Sequence, residues 1–448
     1  MALYPVGMLD LDCAREFVPG LDAEFFASLP AHPGVLLIEM RDAAAEPYLV
    51  RTAEVRRAAE RLLSAAEQPS KRLTLREVAA RIRYRLTGSK FEQTLTHHQQ
   101  ARAHFPAQYR EIARIRPPAV LKVNLRSEYP RCYVTRKIRG DYGLYFGPFA
   151  SRKAADAFGE AFLDLFKIRR CQIKIRRDPA YPGCIYSEMK MCLAPCFAGC
   201  TKAEYDLEVG RLLETLASSG SALIHEIEQE REAASEALDF EHAAALHKRL
   251  EKASAVLRTL PEITRKIDDL NAVVLQRGAG EKTVIAFPVL GGILQEPIFL
   301  RFAELSSQPK SVESILRAGL QKTAVASETS AIRASNTSNA PAQEISATPS
   351  PDERRQRFGL HEGPPELSEH LCLIARWFYS NPRDGEIFFR GADWPYRRIL
   401  SACNRLLTQS SPTDEIGPRL TPEQKAAFTR ERIKRLKSFS RPRRKPAK

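Results

Sequence analysis

Residues Gly34 to Met40 form an almost unbroken apolar run, the pattern of a buried strand, and a short turn leads to a second strand over Pro47–Thr52. Ala53–Ala66, rich in Ala, Arg and Glu, reads as a helix. The run Arg81-Ile82-Arg83-Tyr84-Arg85-Leu86 alternates strictly, which predicts a half-buried strand with three arginines on its outer face. Ser89 and Glu92 stand at capping-box spacing, so a helix starts there, and Pro106 bounds its far end. Val120–Leu125 and Arg131–Arg136 read as strands, followed by a Gly-rich segment ending in Tyr145-Phe146-Gly147-Pro148-Phe149. Ser151–Phe166 is helical, and long helices fill 202–258. Strand character returns over 270–303, with a turn at Gly291-Gly292.

The flanks of this pattern are weaker. Residues 1–29 read as a poorly defined leader. Residues 324–352 are rich in Ser, Thr, Ala and Pro, too poor in large apolar side chains for a core, and read as a disordered linker. A small unit over 360–406 carries a helix, Leu367–Tyr379, which docks on the core or on a partner, and a strand, Glu386–Arg390.

The chain has 448 residues, enough for two to four domains. It carries 69 Lys+Arg against 54 Asp+Glu, a net charge of +15, which favours a polyanionic partner such as nucleic acid; an anionic membrane or a ribosome would also satisfy it. The segment Arg430–Lys448 holds ten basic residues and one acid, and reads as a basic tail for nucleic acid or for solubility. No apolar run reaches membrane-spanning length and the N-terminus lacks a signal pattern, so the expected location is cytoplasmic.

That location makes the cysteines informative. Five of nine fall within thirty residues: Cys171, Cys184, Cys192, Cys196 and Cys200. In a reducing compartment such clustering points to a metal or an iron–sulfur group rather than disulfides. Arg169, Arg170, Lys174, Arg176 and Arg177 flank Cys171 and would favour thiolates.

In this region the chain resembles the UvrC family of excinucleases. Leu165-Phe166-x4-Cys171, Pro182-Gly183-Cys184 and Cys192-Leu193-Ala194-Pro195-Cys196 follow the family's cysteine pattern. Tyr145-Phe146-Gly147-Pro148-Phe149 matches its YFGPY element, and Ser235-Glu236-Ala237-Leu238-Asp239-Phe240-Glu241-x-Ala243-Ala244-x-Leu246 resembles the UVR motif. The resemblance covers about residues 30–305. It implies an α+β, multidomain protein: a GIY-YIG nuclease-type domain at 30–105, a middle domain with the cysteine cluster at 106–218, a UVR-like helical hairpin at 219–260, and a truncated RNase H-like β region at 266–322. A linker at 323–357, a small C-terminal unit at 358–428 and a basic tail at 429–448 would follow.

By the same resemblance Cys171, Cys184, Cys192 and Cys196 would bind a 4Fe–4S cluster, with zinc as the alternative. The hairpin would dock on UvrB, or a UvrB-like helicase, through Phe240, Glu241 and Ala244. Nucleotide excision repair, and with it the SOS response, is the implied setting.

The nuclease positions depart from the family. Leu36 stands where the first catalytic tyrosine belongs; Tyr48 keeps the second. Ala58 occupies the place of the catalytic arginine, with Arg57 beside it and Arg61 one turn on. His97 replaces the metal-binding glutamate, and His97 and His98 are expected as surface histidines. A site lacking three of four cooperating groups loses most of its rate, so little or no cleavage is expected. Mg²⁺ or Mn²⁺ would matter only if a rearranged endonuclease site, using Tyr48 and His97, were active. DNA would be gripped by Arg51, Arg57, Arg81, Arg83, Arg85, Arg170 and Lys174, and the expected role is a DNA-binding repair or regulatory factor.

Overall fold

The computed structural model describes residues 9–65, 73–138, 143–303, 311–322 and 366–408. The proposed linker, the basic tail, and the outer parts of the leader and of the C-terminal unit lie outside these residues. The elements run β1 (Cys13–Glu16), α1 (Asp22–Ala27), β2 (Gly34–Met40), β3 (Tyr48–Thr52), α2 (Val55–Leu63), β4 (Ala79–Leu86), α3 (Lys90–His104) and α4 (Tyr109–Ile112). Next come β5 (Ala119–Asn124), β6 (Cys132–Thr135), β7 (Gly143–Phe149), α5 (Arg152–Leu163), α6 (Ile185–Glu188), α7 (Lys202–Ala217), α8 (Ser221–Glu236) and α9 (Phe240–Leu257). The remainder is β8 (Arg265–Lys266), β9 (Ala272–Arg277), β10 (Thr283–Leu290), β11 (Ile293–Leu294), β12 (Ile298–Arg301), α10 (312–322), α11 (Leu367–Phe378), β13 (Glu386–Phe389) and α12 (Tyr396–Thr408). The chain is thus mixed α/β and multidomain.

Three antiparallel sheets organise these elements. The first has the order β1-β4-β2-β3. One face packs Leu36, Ile38 and Ile82 against α1 and α2; the other carries Val35, Leu37 and Leu49 towards Leu11 and α3. The expected leader is therefore folded from residue 9 onward: β1 pairs with β4 as an edge strand, and Phe17, Phe25, Phe26 and Leu29 are buried. The signal was weak because β1 is only Cys-Ala-Arg-Glu, and its place depends on a partner about seventy positions away rather than on its own periodicity.

The second sheet, β6-β5-β7-β8, is covered by α5 and the helices α7 to α9 around a core that includes Phe146, Phe162 and Tyr205. The Gly-rich segment ending in Phe149 proves to be the buried strand β7. In the third sheet, β11-β10-β9-β13 with β12 also on β10, both faces are covered. Phe287 and Val274 pack against α3 and α11, whereas Val273 and Leu300 pack against α10 and α12. The small C-terminal unit is consequently part of this layer: β13 pairs with β9 and α11 docks on α3. A Cβ on Gly88 would overlap the backbone of Gly278, so the glycine at 88 lets the end of the first sheet meet the β9–β10 turn directly.

Helix α3 starts as its cap predicts: Ser89 Oγ accepts from the Glu92 N–H at 3.1 Å, although Glu92 turns its own carboxylate to the Gly88 N–H at 2.9 Å. Its middle does not match expectation. His97 and His98 are both buried, because α11 covers the face on which they stand. His98 Nε2 lies 3.1 Å from Glu369 Oε2, and Tyr109 Oη donates to Glu369 Oε1 at 2.6 Å. Arg110 adds a bond at 3.0 Å, and Arg102 pairs with Glu366 at 2.9 Å. Despite burial, these donors hold the Glu369 carboxyl down at about 2.

Candidate functional site: a nuclease-like sheet and a cysteine-rich loop

At the nuclease-like positions the first sheet presents hydrocarbon. Leu36 has no exposed surface and Ala58 packs with it in the core beneath α2. Tyr48 sits half-buried at the rim of that core, while Arg57 and Arg61 point to solvent. Side chains alternate along β3, so Arg51 leaves on the opposite face, where its Nη1 donates to Thr94 Oγ1 of α3 at 3.0 Å. His97 lies on that side. Burial, then the charges of Arg51, His98 and Arg376, lowers its pKa to about 4, so the ring is neutral at pH 7. Tyr48 and His97 are therefore separated by the sheet instead of converging on one reacting centre.

The three strand arginines stand on one face as the alternation requires, but they are not free. Arg81 Nε donates to Glu39 at 2.7 Å, Arg83 lies 3.6 Å from the same carboxylate, and Arg85 lies 3.5 Å from both Asp12 and Glu92. Two of their partners, Asp12 and Glu16, come from the segment read as a leader. Arg170 is likewise paired, with Asp164 at 2.7 Å, and Lys174 is exposed.

The cysteine-rich loop hangs between α5 and α7. Tyr205, fully buried on α7, fastens its start: its hydroxyl donates to the Pro130 carbonyl at 2.8 Å and accepts from the Arg169 N–H at 3.1 Å. Arg169, also buried, spreads its guanidinium over the carbonyls of Tyr129, Cys171 and Ile173. Nothing in the local sequence marked this anchor, since Tyr205 reads as an ordinary helical core residue.

Within the loop Cys171, Cys184 and Cys196 all lie near enough to act electrostatically on Cys192. Burial first, then these neighbours, pushes the Cys192 thiol up to about 11, against a bond from the Ala194 N–H to its sulfur at 3.3 Å. Of the flanking arginines, Arg169 reaches the Cys171 sulfur, its Nη1 lying 3.9 Å away, and Arg177 acts on Cys200, while their other bonds and that of Arg170 go to carbonyls and to Asp164. Among the described residues no group of three or more His, Cys, Asp or Glu is drawn tightly enough to hold a metal ion as it stands. The loop does hold three non-glycine residues, Lys190, Ala194 and Ala198, at φ of 55°, 56° and 62°, a costly backbone for L residues. Cys200 is set back, with its carbonyl bonded to Arg177 at 2.9 Å. Beside the loop runs a groove of about 920 Å³, lined among others by Met189, Met191, Leu207 and Lys248.

Helices α8 and α9 form the predicted hairpin, broken at Asp239, which caps α9 by accepting from the His242 N–H at 3.0 Å. The contact is made by Ala243 and Leu246, with Ala253 and Val256 beyond them. Phe240, expected among the docking residues, is 67% exposed at the tip, next to the bend where Leu238 takes the left-handed conformation at φ 58°. Glu241 and Ala244 are exposed with it.

The sheet, the cysteine loop and α7 coincide with a known domain class: residues 119–215 match the family model of the UvrC/Cho excinuclease middle domain. Similarity extends further along the chain. The UvrABC system protein C of Moorella thermoacetica is 26% identical over 297 residues, 66% of this chain and 48% of that protein. That of Oleidesulfovibrio alaskensis is 28% identical over 263 residues (58% and 37%), and that of Syntrophotalea carbinolica 30% over 161 residues (36% and 26%). Over these stretches the chain is similar to proteins of the UvrC family. Its matches span less than half the length of each of these relatives. No solved structure matches it, and no helix among the described residues is long and apolar enough to cross a membrane.

Proposed function

We propose that this protein binds DNA within nucleotide excision repair and has little or no nuclease activity of its own. The observation that carries the reading is the first sheet: Leu36 and Ala58 are buried in hydrocarbon where the resemblance calls for a tyrosine and an arginine, and a neutral His97 replaces the carboxylate. Phosphodiester hydrolysis needs an activated water and a carboxylate-held cation, and neither can be assembled from these side chains. Incubation of the protein with damaged plasmid and Mg²⁺ or Mn²⁺ is expected to give no nicking above background, equally for the wild type and Tyr48→Phe. Metal-dependent nicking that disappears in Tyr48→Phe would favour the competing reading, an endonuclease with a rearranged site.

For the cysteine loop the reading is a 4Fe–4S cluster held by Cys171, Cys184, Cys192 and Cys196. It is supported by three thiols, those of Cys171, Cys184 and Cys196, placed near the fourth at Cys192, by an N–H donor already aimed at one sulfur, and by the left-handed backbone at Ala194 and Ala198, strain that a bound group would offset. The cluster would brace the loop on the second sheet. Anaerobic purification is expected to yield a brown protein that loses its visible absorbance in Cys192→Ser; a colourless protein with one zinc per chain would assign the site to zinc. The exposed Phe240 and Glu241 at the hairpin tip are the surface through which a UvrB-like helicase would dock.

A further inference from the structure

We propose that the surface over His97, where the resemblance would place a divalent cation, is instead a phosphate site that grips one backbone phosphodiester of DNA through Arg51, Arg114 and Arg376. The inference rests on the DNA-binding reading above and gives it a location.

Three parts of the chain assemble the group. Arg51 comes from β3 and lies on Thr94 of α3. Thr94 and His97 are three residues apart on that helix, hence on one face, so His97 stands beneath the arginine. Helix α11, packed on α3, contributes Arg376, whose Nη2 donates to the Arg114 carbonyl at 2.5 Å and whose Nη1 donates to that of Ala113 at 3.4 Å. These bonds hold residue 114 in the left-handed region, φ 52°, a conformation an arginine does not choose unaided. All three arginine side chains are exposed.

The cluster is electrically unbalanced. Among the described residues none of the three is in an ion pair, whereas every arginine of β4 has a carboxylate partner. The charges that bear on Arg51 are those of Arg376 and Arg114, and those that bear on His97 are Arg51, His98 and Arg376; no carboxylate acts on either group. His97 is 6% exposed and its ring makes no hydrogen bond among the described residues, but its nitrogens are not among the buried unpartnered atoms, so the neutral ring can offer an N–H to a ligand that approaches from solvent. Guanidinium forks around such a donor suit the oxygens of a phosphate. The same set is wrong for Mg²⁺ or Mn²⁺, which take oxygen ligands and would add positive charge to positive charge. Replacing one carboxylate by His97 and surrounding it with guanidiniums thus reverses the sign of the ligand.

The test is fluorescence anisotropy of a labelled duplex of about 30 base pairs with the full chain, across the 50–200 mM salt range in which phosphate contacts weaken. Arg51→Gln/Arg114→Gln removes two exposed side chains, and Arg397→Gln/Arg398→Gln removes the same charge from exposed positions on α12 as a control. The first pair is expected to weaken binding roughly tenfold and to reduce the slope of log affinity on log salt by about 0.9, the value for one phosphate no longer neutralised. The control pair is expected to leave the slope unchanged. An unchanged slope in the first pair, or equal losses in both pairs, overturns the phosphate site while leaving DNA binding intact. A wild type without salt-dependent binding overturns the DNA-binding reading and the site with it.

Discussion

Glu369→Ala is expected to destabilise the protein by about 3–5 kcal/mol, the range for removing one partner of a buried ion pair. The carboxylate is 2% exposed and receives Tyr109 Oη at 2.6 Å and Arg110 at 3.0 Å, with His98 Nε2 at 3.1 Å. Its removal strands the His98 ring, whose Nδ1 already lacks a partner, in a fully buried site. Because the knot ties α11 to α3, the loss is expected to loosen the third sheet from the first. Urea denaturation followed by tryptophan fluorescence reads it directly, since Trp377 lies on α11. A shift below about 1 kcal/mol would show that the knot is not what holds the two layers together.

Acid is expected to weaken the protein before its carboxylates titrate. His97 and His370 are both held at about 4: His97 by burial, then Arg51, His98 and Arg376; His370 by burial, then His98, against the opposing pull of Glu369 and Glu366. In the unfolded chain both return to the ordinary value of 6.5. Between those values the unfolded state binds more protons, so stability is complete above about pH 6.5 and falls as pH drops towards 4. At pH 5 each histidine accounts for about 2 kcal/mol, from about 1.4 kcal/mol per pH unit over the interval below 6.5. The expected loss between about pH 7.5 and 5 is therefore about 4 kcal/mol. His97→Gln/His370→Gln is expected to flatten the dependence, whatever its effect on absolute stability. Equal pH slopes in the wild type and the double variant would contradict this assignment. The Glu369 contribution belongs to a lower window, being lost only as pH falls from 4.5 towards 2.

What could be read beforehand was local. The strand Gly34–Met40 has the bounds its apolar run gives, α3 begins at its Ser89 cap, and the hairpin breaks at Asp239. Each follows from periodicity or capping within a few residues. Pairings across long separations were not legible. Nothing in Cys-Ala-Arg-Glu announces that it will lie along β4, and so nothing announced that Asp12 and Glu16 would neutralise Arg85 and Arg81. The burial of His97 and His98 depends on a helix about 270 residues further on. For the candidate site, the cysteines announced their own grouping by density, whereas Arg114 and Arg376 carry no motif and join Arg51 only through tertiary contacts.

The union of β9 with β13 has a consequence for biosynthesis. Leu275 finds Glu386 about 110 residues downstream, so the ribosome must keep working for roughly 5–20 s after the first strand emerges before its partner exists. Throughout that delay a nascent polypeptide presents an open edge of Ala-Val-Val-Leu, the kind of template on which neighbouring chains on a polysome join. Slower translation is therefore expected to lengthen the exposure of this edge, and faster completion of the chain to shorten it.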